Sequence, residues 1–295
     1  MHTFLPSELI LNADSSVYHL HLHPEDIADI IFFVGDPNRV QQVSQHFDSV
    51  ELRKSHREFT THTGFIGNMR LSVISTGIGV DNIDIVFNEL DLLSKVNLKS
   101  RILLSRPRRL KIIRLGTTGS LSKQINLDDI LFSKYAIGID GVPYHYRSSS
   151  QVFEPELSQR FSEITDWPRE LAEPYAAKSS DLLWELLYDT NYKQGITLTI
   201  NGFYGPQGRS IILPLKNPDL LNKTSSLIYD SLNVSNLEME TAGIYAFGKL
   251  LHHDVISLSV VLADRISGTF SKRSKASMDE MICIVLDKIE VLKNI

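Results

Sequence analysis

Four short segments concentrate groups able to hold an anion: Gly35-Asp36-Pro37-Asn38-Arg39, Thr76-Gly77-Ile78-Gly79, Arg114-Leu115-Gly116-Thr117-Thr118-Gly119 and Asp264-Arg265. Glycine at such a turn lets backbone N–H groups approach an oxyanion, and a following helix N-terminus favours negative charge. Arginine adds paired donors that match phosphate oxygens. Each segment alone is also what an ordinary turn looks like; their joint presence points to a phosphate pocket. The chain has no G-x-x-x-x-G-K-S/T loop and no G-x-G-x-x-G after a strand, which argues against a nucleoside triphosphatase or a dinucleotide dehydrogenase. It has no G-x-S-x-G elbow either, which argues against an α/β-hydrolase. His19, His21 and His23 would share one face of a strand, but no carboxylate of matching face lies nearby, so edge residues are the simpler reading than a metal site.

These turns need elements to hold them. Ile30–Val34 is a continuous apolar run ending at Gly35, as a buried strand would be. Residues 70–75 alternate like a strand and end at Thr76-Gly77. A helix follows over 81–95, with Ile85, Val86, Leu90 and Leu93 at helical spacing. Residues 111–115 read as a strand stopping at Gly116, and 129–134, 195–200, 236–239 and 255–262 as further strands. Helices are expected over 241–251, 276–292 and, interrupted by Pro174, 170–188. The alternation is that of an α/β protein. Strand ends that carry glycine, arginine and hydroxyl groups are where open α/β sheets bind ligands. The arginine-rich stretch 99–109 (Arg101, Arg106, Arg108, Arg109) reads as a solvated connection or a contact for an anionic partner. The stretch 148–192 reads as an addition to the core without legible chemistry.

The 295 residues are 42% hydrophobic and 22% charged, ordinary globular usage that excludes a disordered or collagen-like chain. Thirty basic against thirty-five acidic residues give a net charge of -5, which disfavours a nucleic-acid-coating protein but leaves room for a local anion pocket. The single cysteine, Cys283, excludes an internal disulfide framework and a cysteine-built zinc site; its apolar neighbours suggest a buried thiol. With no signal-like start and no apolar run near ~18 residues, a cytoplasmic protein without membrane association is expected, as one domain over 1–295.

The chain resembles nucleoside phosphorylases of the uridine phosphorylase type. The likeness runs in family order through 17–20, 34–40, Ser55-His56-Arg57-Glu58-Phe59-Thr60-Thr61, 75–79, Arg114-Leu115-Gly116-Thr117-Thr118-Gly119-Ser120, Phe203-Tyr204-Gly205-Pro206-Gln207-Gly208-Arg209, Leu237-Glu238-Met239-Glu240-Thr241-Ala242 and 262–265. The resemblance implies a single α/β domain with a central mixed sheet flanked by helices. It implies a pentosyltransferase that splits uridine with inorganic phosphate into uracil and ribose 1-phosphate, without an organic cofactor, and a homo-oligomer (dimer or hexamer).

Residue by residue, the resemblance assigns phosphate to Gly35, Arg39, Arg57, Arg114 and Thr117, with Arg57 serving a neighbouring subunit's site. Ribose falls to His19, again lent to a neighbour, and to Glu238, Met239 and Glu240. The base falls to Phe203, Gln207, Arg209 and Arg265. Arg114, Glu240, Gln207 and Arg209 would carry the catalytic stabilisation. An amide donates and accepts while a guanidinium only donates, which suits uracil, with two carbonyls flanking one N–H. Asp264 would be an orienting or structural partner of Arg265 and not the acid. In purine-cleaving relatives an aspartate near this strand end protonates the base. Some relatives hold a structural potassium near Glu58. The order Gly205-Pro206 departs from close bacterial relatives but keeps the spacing from Phe203 to Gln207 and Arg209. A purine nucleoside phosphorylase, a nucleosidase using water and a silent ligand-binding protein remain the alternatives; the arginine set argues against water.

Overall fold

Apolar residues on both sides of a strand require cover on both sides, and β1 (Ile30–Val34) meets that requirement. Ile31 and Phe33 pack into one core cluster, whereas Ile30, Phe32 and Val34 pack into a second. The structure, a computed structural model, describes residues 3–294. After β1 come α1 (Pro37–Ser44), β2 (Ser49–His56), β3 (Phe59–Ile66), β4 (Met69–Ser75) and α2 (Val80–Lys95). Next are the short β5 (Val96–Asn97) and β6 (Ile102–Leu103), then β7 (Lys111–Ser120) and β8 (Ile130–Gly138). The second half runs α3 (Pro155–Thr165), β9 (Tyr175–Lys178), α4 (Asp181–Leu187), β10 (Lys193–Thr199), α5 (Leu220–Ser225) and β11 (Ile228–Tyr229). It ends with β12 (Leu232–Glu238), α6 (Thr241–Leu250), β13 (Asp254–Asp264), β14 (Thr269–Phe270) and α7 (Ser274–Asp287).

The main sheet is mixed, in the order β11-β12-β10-β8-β13-β7-β1-β4-β3-β2, with β9 on β8 and β14 on β13. β12 also pairs with β7, Leu237 opposite Gly119. The strands β7, β13, β8, β10 and β12 therefore close on themselves. Residues of α2 and α6 (Ile83, Phe87, Tyr245, Phe247) cover one face and residues of α1, α4 and α7 (Val43, Leu183, Met281, Ile282) the other. The α/β class and the helix-flanked mixed sheet are those expected. No helix among the described residues is long and apolar enough to cross a membrane.

Several local expectations change. β7 does not stop at Gly116 but continues to Ser120, because β13 and β12 pair with it along that stretch. No helix spans 170–188: Tyr175–Lys178 is a strand on β8, flanked by α3 and α4, so tertiary pairing overrides local propensity. α7 ends at Asp287, and a 3-10 turn begins at Ile289. Cys283 is exposed; one helical step beyond Ile282, it points off the face that Met278, Met281 and Val285 bury. The arginines of 99–109 divide: Arg106 and Arg109 are exposed, as a solvated connection would have them, Arg109 also pairing with Asp254, while Arg101 donates to Leu9 O and Arg108 to Pro24 O and Leu93 O. His19, His21 and His23 lie outside any strand and face three different carboxylates, Glu89, Asp14 and Asp26.

Candidate active site

Arg114 organises the centre. It lies mid-strand in β7, opposite Ser257 of β13 and Phe33 of β1. Its side chain runs across Gly116, where an added Cβ would stand 1.9 Å from Nη1. Glycine two residues on is therefore what lets the guanidinium lie flat along the strand, a physical reason for the Arg-Leu-Gly spacing. Nη2 donates to Glu240 at 2.6 Å and reaches Glu238 at 2.9 Å, while Nη1 donates to Ser259 at 3.3 Å. Burial works against the Arg114 charge, but Glu238 and Glu240 outweigh it and hold the guanidinium above its ordinary pKa.

The two carboxylates differ in what they have left to offer. Glu238 accepts from Thr199 Oγ1 and from the N–H groups of Glu240 and Thr241, and so caps α6 in addition to holding Arg114. Its lone pairs are committed, which makes it a support of the site. Glu240 stands at the N-cap position of α6 but makes no cap bond with its side chain. It accepts instead from Gly79 N at 2.7 Å, at the start of α2. Burial raises its carboxyl above the usual range, against the pull of Arg114. Met239 lies between them, half-buried.

Arg39, on α1, comes to the same end of the sheet and donates to Leu115 O at 3.4 Å. Burial, with the nearby Arg114 charge, lowers its pKa, so two like charges lie near one another, a repulsion that a bound anion would relieve. Arg39 and Thr117 also line a cavity of 420 Å³ between α1 and α7, together with Gln42, Lys275 and Met278; Arg114 and Glu240 do not line it. Gly35 lies beside the turn after β4, since an added Cβ would touch Gly77 O at 3.6 Å. Arg57 is not part of this group. It is exposed at the tip of the β2–β3 hairpin, with φ 56°, and its guanidinium lies 5.6 Å from the centre of the Tyr18 ring. Tyr18 in turn packs edge-on against His19, at 4.9 Å. The two residues expected to serve a neighbour thus sit together on one surface. The Glu58 carbonyl accepts from Ser75 Oγ at 2.7 Å, and among the described residues no group of three or more His, Cys, Asp or Glu side chains could hold a metal ion.

The loop after β10 carries the third group. Arg209 donates to Gln207 Oε1 at 2.7 Å and its guanidinium lies 3.9 Å from the Phe203 ring centre. Arg265, at the end of β13, donates to Gln207 O at 2.9 Å and packs its stem against Gly119 of β7. Arg265 Nη1 is buried without a hydrogen-bond partner among the described residues. Asp264 does not orient Arg265. Its carboxylate accepts from Ser267 Oγ and Ile266 N, which hold it below the usual carboxylate range and turn it into its own loop. Tyr204 and Arg209 also line an apolar cavity of 920 Å³, together with Trp167, Leu171, Ile211 and Leu213 among others.

Of the residues singled out in the sequence, Gly35, Arg39, Arg114, Thr117, Glu238, Met239 and Glu240 gather at the strand ends. Phe203, Gln207, Arg209 and Arg265 gather beside them, while His19 and Arg57 face outward. Ser259 and Thr199, which brace Arg114 and Glu238, were missed. Two hydroxyls, Ser257 and Ser259, in the otherwise apolar run 255–262 were the available signal, and they do not by themselves single out Ser259.

A family model described as the phosphorylase superfamily matches residues 29–285, and the chain belongs to that superfamily. It is 26% identical over 291 residues to a uridine phosphorylase of Thermococcus kodakarensis, covering 98% of this chain and 91% of the relative. It is 25% identical over 279 residues to a DeoD-type purine nucleoside phosphorylase of Buchnera aphidicola, covering 93% and 99%. Its fold is similar to that of a Trypanosoma brucei nucleoside phosphorylase described as showing uridine phosphorylase activity, with a TM-score of 0.85, 26% identity and coverage of 96% and 99%.

Proposed function

We propose that the chain catalyses reversible phosphorolysis of uridine to uracil and ribose 1-phosphate. The observation that carries this reading is the juxtaposition, in one buried centre, of the guanidinium pair Arg39 and Arg114 with the carboxylate of Glu240. Phosphate binds between Arg39 and Arg114, with the Gly35 N–H and the Thr117 hydroxyl, and with the partner's Arg57 closing the set. Glu240 accepts from the ribose hydroxyls, above Met239, and its negative charge favours the sugar cation as the glycosidic bond stretches. A phosphate oxygen forms the new bond to C1′. The electron pair of the C1′–N1 bond leaves with uracil, which takes a proton from water.

Donors near the uracil carbonyls stabilise that departing anion. Gln207 and Arg209 supply them, and the unpartnered Arg265 Nη1 suits a carbonyl directly or through water. The preference for a pyrimidine is supported by this donor-rich set and by Asp264, whose carboxylate is ionised and turned into its own loop. A purine base would call for a protonated acid near N7. The uridine phosphorylase similarities support the same choice. The outward positions of His19 and Arg57 support a reading in which two copies share their sites.

The test is release of base from uridine, with and without inorganic phosphate, and with inosine run in parallel. Uracil release that requires phosphate is expected. Faster release of hypoxanthine would return Asp264 to the acid role, and release without phosphate would make the chain a nucleosidase.

A further inference from the structure

α2 buries one acidic side chain on its apolar face. Glu89 is 7% exposed and sits among Val86, Leu90 and Leu93. An ionised carboxylate there is costly unless hydrogen-bonded, and its bonds all go to one short turn. Oε1 accepts from His19 N at 2.8 Å and meets His19 Nδ1 at 2.7 Å; Oε2 accepts from Leu20 N at 2.7 Å. His56 Nδ1 meets the His19 carbonyl at 2.8 Å from the other side. The His19 side chain is 29% exposed, and its Nε2 makes no hydrogen bond among the described residues.

A carboxylate only accepts, so the proton of a neutral His19 ring must sit on Nδ1. Nε2 then presents a lone pair outward, on the same surface as Arg57. We propose that Glu89 is a positioning residue for nucleoside recognition: it sets the tautomer and direction of His19 so that Nε2 accepts from the 5′-hydroxyl of a nucleoside bound in a neighbouring copy. This rests on the phosphorolysis reading above and on His19 being lent across the interface. Glutamine at 89 is nearly isosteric, but it has one accepting oxygen for three incoming donors. It must either leave backbone N–H groups facing its amide or turn that amide to Nδ1, which moves the ring proton to Nε2.

The experiment compares kcat/KM for uridine and for 5′-deoxyuridine in wild type, His19→Ala, Glu89→Gln and the double variant, with melting temperature and oligomeric state followed alongside. The ratio of the two substrates reports the 5′-hydroxyl alone. Glu89→Gln is expected to lower that ratio about threefold to tenfold, the worth of one hydrogen bond, with 5′-deoxyuridine turnover within about twofold of wild type on the same grounds. His19→Ala lowers the ratio as well, and the double variant falls no further. Glu89→Asp, which keeps the charge but draws it back from the ring, is read in the same way and replaces the glutamine variant should that not fold. An unchanged ratio in both Glu89 variants, or equal loss on both substrates, overturns the proposal while leaving the function standing. An unchanged ratio in His19→Ala overturns the His19 assignment itself, and Glu89 with it. Absence of phosphate-dependent uracil release by wild type refutes the underlying function.

Discussion

Gly116→Ala adds one methyl group to a central strand and removes no functional group, so it isolates the position of Arg114. The new Cβ would stand 1.9 Å from Arg114 Nη1 and 2.6 Å from Cζ, where ordinary contacts begin at 3.4 Å. The guanidinium must therefore retreat by about 1.5 Å, further than the slack in ion pairs of 2.6 and 2.9 Å allows. A misplacement of about 1 Å in a catalytic group costs on the order of 100-fold in rate. Opening a buried ion pair costs on the order of 3 kcal/mol, which for a domain of this size lowers the melting temperature by several degrees. Steady-state kinetics with phosphate varied at saturating uridine, together with a thermal melt, measure both effects. The expected result is a raised phosphate KM, a kcat lowered by about two orders of magnitude and a folded protein of reduced stability. Wild-type phosphate kinetics in a folded Gly116→Ala protein would refute the argument that Arg114 acts from this position.

The other predictions concern the three outlying groups. Arg57→Ala is expected to raise the phosphate KM about 10- to 100-fold, the worth of a charge-assisted hydrogen bond, with no change in melting temperature, because the side chain is exposed. Gln207→Ala is expected to lower kcat/KM for uridine by a similar factor of about 10–100 and to leave the phosphate KM unchanged; an unaffected uridine rate would remove the pyrimidine assignment of this loop. The Asp264 carboxyl, held low by Ser267 and Ile266, is ionised across the neutral range. Because its folded pKa lies below the unfolded value, the stability it lends is complete above about pH 4 and is lost as the pH falls further. Asp264→Asn should thus flatten the acid edge of an unfolding profile while leaving uridine turnover nearly intact, and a large loss of turnover would point to proton donation.

Much of this arrangement is legible in the chain because it is local. The β1 run announces a strand covered on both faces, whereas Asp36-Pro37, read as a turn, is also the capped start of α1. Arg-Leu-Gly is readable as chemistry once the guanidinium is seen to need a residue without a side chain two places on. What escapes depends on distant partners. β7 continues through two glycines because β12 and β13 pair with it, and 175–178 becomes a strand because β8 offers an edge. Glu89 lies on an apolar helical face like a misplaced surface residue, and only the turn at 19–20 explains it. Resemblance supplied the site residues, but not the distinction between Glu238, whose lone pairs are all engaged within the protein, and Glu240, which keeps some free.

Arg57 occupies a left-handed turn at a hairpin tip, away from the Arg39–Arg114 pair of its own chain. If it serves a neighbour, a chain's damage divides into what it lends and what it keeps. An Arg57→Ala copy still keeps a sound pocket, and an Arg114→Ala copy still lends a sound arginine. At a phosphate concentration well below the raised KM, two preparations that are each impaired would then regain function when their copies are mixed and allowed to pair. In such a pair one site receives every intact part and the other receives both defects, so the recovered activity is at most half that of the unaltered pair. Activity would belong to the pairing and not to either chain, and complementation would count the shared sites directly.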